Sequence, residues 1–150
     1  MFGTGSWGTA YTSVLAAAGC TVRMWGKFPD EVDDIQRTRT SARYLPDLVL
    51  PESVSATTDP GEALDGAQIA VLAVPAQTLR ANLAEWGHLL PDDVIVVSLM
   101  KGLEKTTSLR MSQVIDQACH IPAEQIAVVS GPNIAREIAA REPAATTVAS

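Results

Sequence analysis

Side chains that often carry catalysis or bind metals are scarce in this sequence. Its 150 residues include two cysteines and two histidines. Cys20 and Cys119 lie far apart and lack the spacing of metal ligands, which favours free thiols in a reducing cytoplasm. His88 and His120 are isolated, and no Ser/His/Asp or Cys/His arrangement stands out. The sequence therefore gives no indication of a metal site or of an activated nucleophile.

Positive charge and long apolar runs are also scarce. Eleven Lys and Arg stand against 17 Asp and Glu, so the formal net charge is −6. That balance argues against a general nucleic-acid or anionic-membrane binder, although it leaves room for a local basic pocket. No apolar stretch is long enough to span a membrane, and no secretory signal is visible. We expect a cytoplasmic protein with neither a nucleic-acid nor a membrane partner.

Strand-like and helix-like segments alternate along the chain. The apolar segments do not alternate with polar residues, which is typical of strands covered by helices on both faces. The pattern predicts a single α/β domain over residues 1–150, doubly wound around a mainly parallel sheet. The predicted strands are Thr21–Trp25, Val54–Thr57, Ile69–Ala73, Val94–Ser98, Ile126–Ser130 and Ala145–Ala149. The predicted helices are Ser6–Ala18, Asp30–Arg37, Pro60–Leu64, Thr78–Trp86, Leu109–Cys119 and Asn133–Ala140.

A glycine-rich run near the start has the G-x-G-x-x-G spacing of a dinucleotide-binding turn. Gly3 permits a tight strand-to-helix turn, Gly5 lets backbone approach a pyrophosphate, and Gly8 lets the helix pack close to the strand. The following helix directs its free N–H groups and positive dipole end at the phosphates. The alternative is a glycine turn with a packing role only. The helix and strand that follow favour the dinucleotide interpretation.

Only Met1 and Phe2 precede this turn, where a doubly wound sheet has a central buried strand. Either upstream residues are missing or two residues stand in for a strand, and we favour truncation or a misassigned start. The chain also stops at Ser150 as a strand finishes, so we expect another domain beyond it.

Ligands of open α/β sheets bind outside the carboxyl ends of the strands. Lys27 follows the strand after the glycine turn, where an NAD-selective domain has an acidic residue; Asp30 and Glu31 come later. A cation there suits a 2′-phosphate, so NADPH is favoured over NADH, and the alternative is a solvated lysine. Val74-Pro75 could line the nicotinamide side or simply turn the chain.

Two later strand exits carry polar groups. Lys101 could bind an anion or polarise a carbonyl oxygen. Gly131 allows close backbone approach, and Asn133 could cap the next helix or bond a substrate hydroxyl. From the residues alone, both structural and functional roles stay open for all three.

Several motifs occur here in the order seen in one family. They are Gly3–Ala10, Trp25–Lys27, Arg43–Pro46, Ala56–Asp59, Val74–Pro75, Lys101–Glu104 and Ser130–Glu137. Together they cover essentially the whole chain, which resembles the N-terminal domain of bacterial-type NAD(P)-dependent sn-glycerol-3-phosphate dehydrogenase. The resemblance implies a Rossmann-type domain that works with a helical C-terminal domain. It also implies hydride transfer between NAD(P)H and dihydroxyacetone phosphate, which yields sn-glycerol 3-phosphate for phospholipid synthesis.

The resemblance also implies roles for individual residues. Ser6, Trp7 and Ala135 would contact the cofactor, and Lys101 would touch both cofactor and substrate. Gly131 and Asn133 would bind substrate, although many members have Ser at the Asn133 position. Lys27 stands where the family usually has Arg or another residue facing the adenosine ribose. The cofactor set is therefore Gly3, Gly5, Ser6, Trp7, Gly8, Lys27, Val74, Pro75, Lys101 and Ala135.

The helical domain, with the family's general acid/base lysine, is absent from this sequence. We therefore expect the chain alone to show little or no turnover. A homodimer of the intact enzyme stays open. Three alternatives also stay open, namely a hydroxyacid or ketopantoate-type dehydrogenase, a non-catalytic dinucleotide-binding module, and a structural fragment that binds nothing.

Overall fold

A computed structural model describes all 150 residues, Met1–Ser150, in which six helices and six strands follow one another along the chain. The helices are α1 (Ser6–Ala17), α2 (Pro29–Thr38), α3 (Pro60–Leu64), α4 (Leu79–Trp86), α5 (Met111–Cys119) and α6 (Ala135–Ala139). The strands are β1 (Val22–Trp25), β2 (Val54–Thr57), β3 (Ile69–Leu72), β4 (Ile95–Ser98), β5 (Ile126–Ser130) and β6 (Thr147–Ala149). None of the helices combines the length and the apolar character needed to cross a bilayer.

The strands lie in the order β2-β1-β3-β4-β5-β6, and Phe2 bridges β1 and β3. β1 pairs with β2 in parallel, and β3, β4 and β5 also pair in parallel. Only β6 runs antiparallel to its neighbour. The predicted α/β fold with a mainly parallel sheet is thus confirmed. The antiparallel direction of β6 was not predicted, since residue pattern does not encode strand direction.

Two residues occupy the centre of this sheet. The Phe2 N–H donates to the Val71 carbonyl (2.7 Å), and the Phe2 carbonyl accepts from the Ala73 N–H (2.8 Å). On the other side the Gly3 N–H donates to the Trp25 carbonyl (2.9 Å). Since Phe2 is 1% exposed, Met1–Phe2 hold the position that a full central strand has in a doubly wound sheet.

The amino group of Met1 lies inside the sheet and donates to the Arg23 carbonyl at 2.7 Å. Burial, and secondarily the charge of Arg23, lowers the pKa of this amine to about 5.

Helices cover both faces of the sheet, as the apolar strands predict. One buried cluster of 18 residues includes side chains from α3, α4 and α5, and a second of 11 includes side chains from α2. Half-buried residues of α1 pack against the second cluster. Trp86 is 0% exposed, and its ring centroid lies 4.2 Å from that of Phe2. Trp86 therefore packs in the core beside the central bridge.

Most predicted segments are present with ends that differ by one or two residues. The largest shifts, of two residues, are at the starts of α5, α6 and β6, which begin at Met111, Ala135 and Thr147. The predicted burial of whole strands is wrong along all of β6 and at the amino ends of β3 and β4, where Ile69 is 54% exposed and Ile95 38% exposed. Ile69 and Ile95 lie at the sheet edge opposite the glycine turn, beyond the cover of the helices.

Candidate functional site

A cavity of about 820 Å³ opens at the carboxyl edge of the sheet. It lies between the glycine turn and the segments that follow β1, β3 and β4. Nine residues of the predicted site line it, namely Gly3, Gly5, Ser6, Trp7, Lys27, Val74, Pro75, Lys101 and Asn133. The structure brings these residues together from positions spread over most of the chain. Gly8, Gly131 and Ala135 lie outside its lining.

The N-terminus of α1 faces this cavity with free donors. Gly5 is the cap residue, so no side chain caps the helix, and no acidic residue lies in its first turn. The N–H groups of Ser6, Trp7 and Gly8 donate to no acceptor within the chain. Ser6 and Trp7 line the cavity. Three free N–H groups at the positive end of a helix dipole form a site for an anion such as phosphate.

The three glycines differ in what surrounds them. A Cβ on Gly3, whose φ is +127°, would lie 2.6 Å from the Ala73 carbonyl oxygen. A Cβ on Gly8 would lie 2.2 Å from the Gly3 carbonyl oxygen. At Gly5 a Cβ would meet no atom within 4 Å. Packing therefore requires Gly3 and Gly8, whereas Gly5 leaves open space beside the free N–H groups, as a dinucleotide-binding turn requires.

The segment after β1 brings more side chains to the cavity than the sequence predicts. Lys27 lines it together with Phe28, Glu31 and Tyr44. Phe28 is 61% exposed, which is unusual for an aromatic side chain. Glu31 comes from the first turn of α2, and Tyr44 from the loop before β2. Glu31 lies at the start of a helix and shortly after a strand, which is only a weak sequence signal for a site residue. Tyr44 has no local sequence signal of this kind.

The opposite part of the cavity is formed by Lys101 and its neighbours. The Lys101 Nζ donates to the Gly131 carbonyl at 2.8 Å, although Gly131 itself does not line the cavity. Asn133 accepts a hydrogen bond from the Thr146 hydroxyl at 3.2 Å. The cap of α6 is Ile134 without a side-chain bond, so helix capping by Asn133 is wrong. A cation and an amide thus face the cavity from neighbouring strands.

The loop after Lys101 is held by two further side chains that the sequence reasoning missed. Gln77 Nε2 donates to the Leu103 carbonyl (2.8 Å), and Gln77 Oε1 accepts from the Lys105 N–H (3.0 Å). Arg80 makes a two-point ion pair with Glu104, at 2.8 and 3.0 Å. This pair lowers the pKa of Glu104 to about 2, and the Thr107 hydroxyl contributes a further hydrogen bond.

The arrangement fits an elongated ligand with anionic groups. Free N–H groups lie at the glycine turn, and Lys27 and Lys101 lie at the exits of β1 and β4. Apolar side chains such as Trp7, Val74 and Pro75 line the space between. Small-molecule sites combine apolar walls with a few placed polar groups in this way. No group of three or more His, Cys, Asp or Glu side chains is placed to hold a metal ion.

Comparisons with known proteins show which family the chain resembles. The family model described as "NAD-dependent glycerol-3-phosphate dehydrogenase N-terminus" matches residues 1–150. A glycerol-3-phosphate dehydrogenase [NAD(P)+] of Streptomyces avermitilis is 56% identical over 149 residues, which are 99% of this chain and 44% of that protein. The Thermobifida fusca enzyme of the same name is 50% identical over 150 residues, with 99% and 45% coverage.

Among solved structures, glycerol-3-phosphate dehydrogenase from Coxiella burnetii superposes with a TM-score of 0.90 at 33% identity. That match covers 98% of this chain and 44% of the Coxiella chain. The chain thus spans less than half the length of the curated relatives it matches. Since the family model matches every residue, the chain belongs to the family of the N-terminal domain of NAD-dependent glycerol-3-phosphate dehydrogenase.

Proposed function

We propose that this chain binds NAD(P)H and presents it to dihydroxyacetone phosphate within an NAD(P)-dependent glycerol-3-phosphate dehydrogenase. The observation that carries the proposal is the N-terminus of α1, where the N–H groups of Ser6, Trp7 and Gly8 have no acceptor in the chain. The relatives named for this activity share about half of its residues.

The residues of the cavity divide between the two ends of a dinucleotide. Ser6 and Trp7 would hold the pyrophosphate through their N–H groups, with Gly5 leaving it room. Lys27 would lie at the adenosine ribose, where its charge favours NADPH over NADH. Val74 and Pro75 would line the nicotinamide side. Ala135 is a weaker assignment, because it begins α6 outside the cavity lining.

Lys101 would serve the substrate end. When bound, the reduced nicotinamide would supply the hydride that reduces dihydroxyacetone phosphate to sn-glycerol 3-phosphate. The Lys101 ammonium, held by its bond to the Gly131 carbonyl, can stabilise negative charge on a phosphate or a carbonyl oxygen. Gly131 and Asn133 would complete the substrate contacts. The proton donor to the developing alkoxide would come from a lysine of the family's helical domain.

On this proposal the enzyme works in the cytoplasm and supplies sn-glycerol 3-phosphate for glycerophospholipid synthesis. Its partners are small molecules, and neither nucleic acid nor membrane is among them. A homodimer of the intact enzyme is compatible with the proposal.

The test is calorimetric titration of the folded chain with NADPH and then with NADH. We expect saturable binding of both, with NADPH bound more tightly. The Gly5→Val variant is expected to lose binding, because its side chain fills the space beside the free N–H groups. The variant is expected to stay folded, since a Cβ at this position meets no protein atom within 4 Å. A folded wild-type chain that binds neither dinucleotide would overturn the proposal.

A further inference from the structure

Lys27 and Glu31 lie near the exit of β1, where a dinucleotide-binding domain distinguishes its cofactors, and Arg43 contacts Glu31 there. Lys27 and Glu31 line the cavity, whereas Arg43 lies outside the lining. In doubly wound domains an acidic side chain at this end bonds the ribose 2′-hydroxyl, and a cation accommodates a 2′-phosphate. This chain presents both kinds of charge to the same end of the cavity.

Glu31 is held in place by two hydrogen bonds. Its Oε2 accepts from the Thr4 hydroxyl at 2.9 Å, and its Oε1 accepts from the Arg43 guanidinium at 3.2 Å. The Glu31 side chain is 17% exposed. Thr4 belongs to the glycine turn and is 5% exposed. The carboxylate is therefore a fixed feature of the cavity wall.

Arg43 approaches Glu31 from the loop before β2. Its side chain is 72% exposed, and its guanidinium carbon lies 5.3 Å from the centroid of the Tyr44 ring. The same loop is tied to α2 by a second bond, in which the Ala42 N–H donates to Asp34 Oδ2 at 3.2 Å. Arg43 thus sets a cation against the Glu31 carboxylate from outside the cavity lining.

The net charge at this end of the cavity depends on the ion pair between Arg43 and Glu31. A bare Glu31 carboxylate would repel a 2′-phosphate and offset the attraction of Lys27. A carboxylate paired with Arg43 contributes little net charge, so that Lys27 remains as the net cation. We propose that Arg43 is a positioning residue for cofactor selectivity, which makes the 2′-phosphate acceptable by compensating Glu31. This inference rests on the proposed dinucleotide-binding function.

The experiment compares dissociation constants for NADPH and NADH in four chains by calorimetry. They are the wild type, Arg43→Gln, Glu31→Gln and the Arg43→Gln/Glu31→Gln double variant. We expect Arg43→Gln to lower the preference for NADPH over NADH roughly tenfold, mainly because NADPH binds less tightly. This loss of preference should be smaller in high salt, which screens the charges. The double variant is expected to regain the wild-type preference, because the amide that replaces the Glu31 carboxylate keeps an acceptor for Thr4 but carries no charge.

The matched control is Arg37→Gln. Unlike Arg43, Arg37 lies on α2 itself, where it pairs with Asp34 at 3.4 Å, and neither Arg37 nor Asp34 lines the cavity. We expect its preference to equal that of the wild type. The inference would be overturned if Arg43→Gln weakened the binding of NADPH and NADH equally, or if the double variant did not regain the NADPH preference. Either result would leave the proposed cofactor binding standing. A wild-type chain that binds neither cofactor would remove the proposed function and this inference together.

Discussion

Glu104 is the residue that ties the loop after Lys101 to the rest of the domain. It takes a two-point ion pair from Arg80 of α4 and a hydrogen bond from the Thr107 hydroxyl. Two-point guanidinium–carboxylate contacts combine charge with fixed geometry. Because Lys101 lies three residues earlier, the orientation of this loop helps to fix where its ammonium group faces the cavity.

The depressed pKa of Glu104 makes this anchor sensitive to acid. Its pKa is about 2 in the folded chain, against 4.5 for a free carboxyl group. The unfolded chain therefore takes up this proton first as the pH falls. The contribution of Glu104 to the unfolding free energy is complete above pH 4.5 and is lost toward pH 2. Arg80→Met removes the main cause of this shift.

We expect Arg80→Met to be less stable than the wild type at pH 6 and to differ from it less at pH 3. Urea unfolding across this pH range measures the difference. Arg136→Gln is the control, since Arg136 makes no ion pair and its variant should follow the wild type throughout. A stability gap between Arg80→Met and the wild type that stays constant with pH would contradict the assignment.

A site residue could be predicted from the sequence only where its role depends on residues near it in the chain. Gly3 and Gly8 follow from the spacing of one turn, and Lys27 and Lys101 from their positions after apolar strands. Gln77 holds the main chain of a loop 26 residues further on, and nothing near it in sequence shows that contact. The role of Glu31 could not be predicted either, because its bonds to Thr4 and Arg43 span 27 and 12 residues.

At the level of elements, the packing of α1 against the glycine turn depends on close contact between backbone atoms. A Cβ on Gly8 would lie 2.2 Å from the Gly3 carbonyl oxygen and 3.4 Å from the Ala73 Cβ. The first of these contacts is with main chain, which cannot move without shifting the turn. The helix therefore lies on the sheet only because this position has no side chain.

Gly8→Ala is expected to destabilise the chain by about 2–3 kcal/mol, as overpacking of rigid surroundings does. The gain in helix propensity from Gly to Ala, about 1 kcal/mol, is too small to offset the clash. Gly5→Ala should stay within about 0.5 kcal/mol of the wild type, because that position is open. Chemical denaturation of both variants measures the contrast. Equal stabilities would show that the turn can relax around a methyl group.

The elements that the sequence predicted well are those whose ends carry local signals. α3 begins as predicted because the Asp59 side chain accepts from the Gly61 N–H at 2.8 Å and Pro60 follows it. Glu62 of the same turn accepts a hydrogen bond from the Thr57 hydroxyl. Periodicity gives no sign of Phe2 as a central bridge, since a strand of this length has none to detect. Only its place directly before the glycine turn raised that alternative.

At the scale of the whole molecule, the cavity requires the two halves of the sheet to be held side by side. Lys27 follows β1 in one half, and Lys101 follows β4 in the other. Phe2 joins the two halves through bridges to Trp25 and Leu72. A cavity assembled from distant segments is absent from the unfolded chain, so a ligand that fills it binds only the folded state.

Cofactor binding should therefore raise the thermal stability of the chain. At a free NADPH concentration about 100 times its dissociation constant, we expect about 2.7 kcal/mol of added stability. For a domain of this size that is a rise in Tm of roughly 5–10 °C. Differential scanning fluorimetry measures the rise, and Gly5→Val should show none because its side chain blocks the site without disturbing the fold. An equal rise in Gly5→Val would place NADPH elsewhere on the molecule, since the free N–H groups of α1 would then be dispensable for binding.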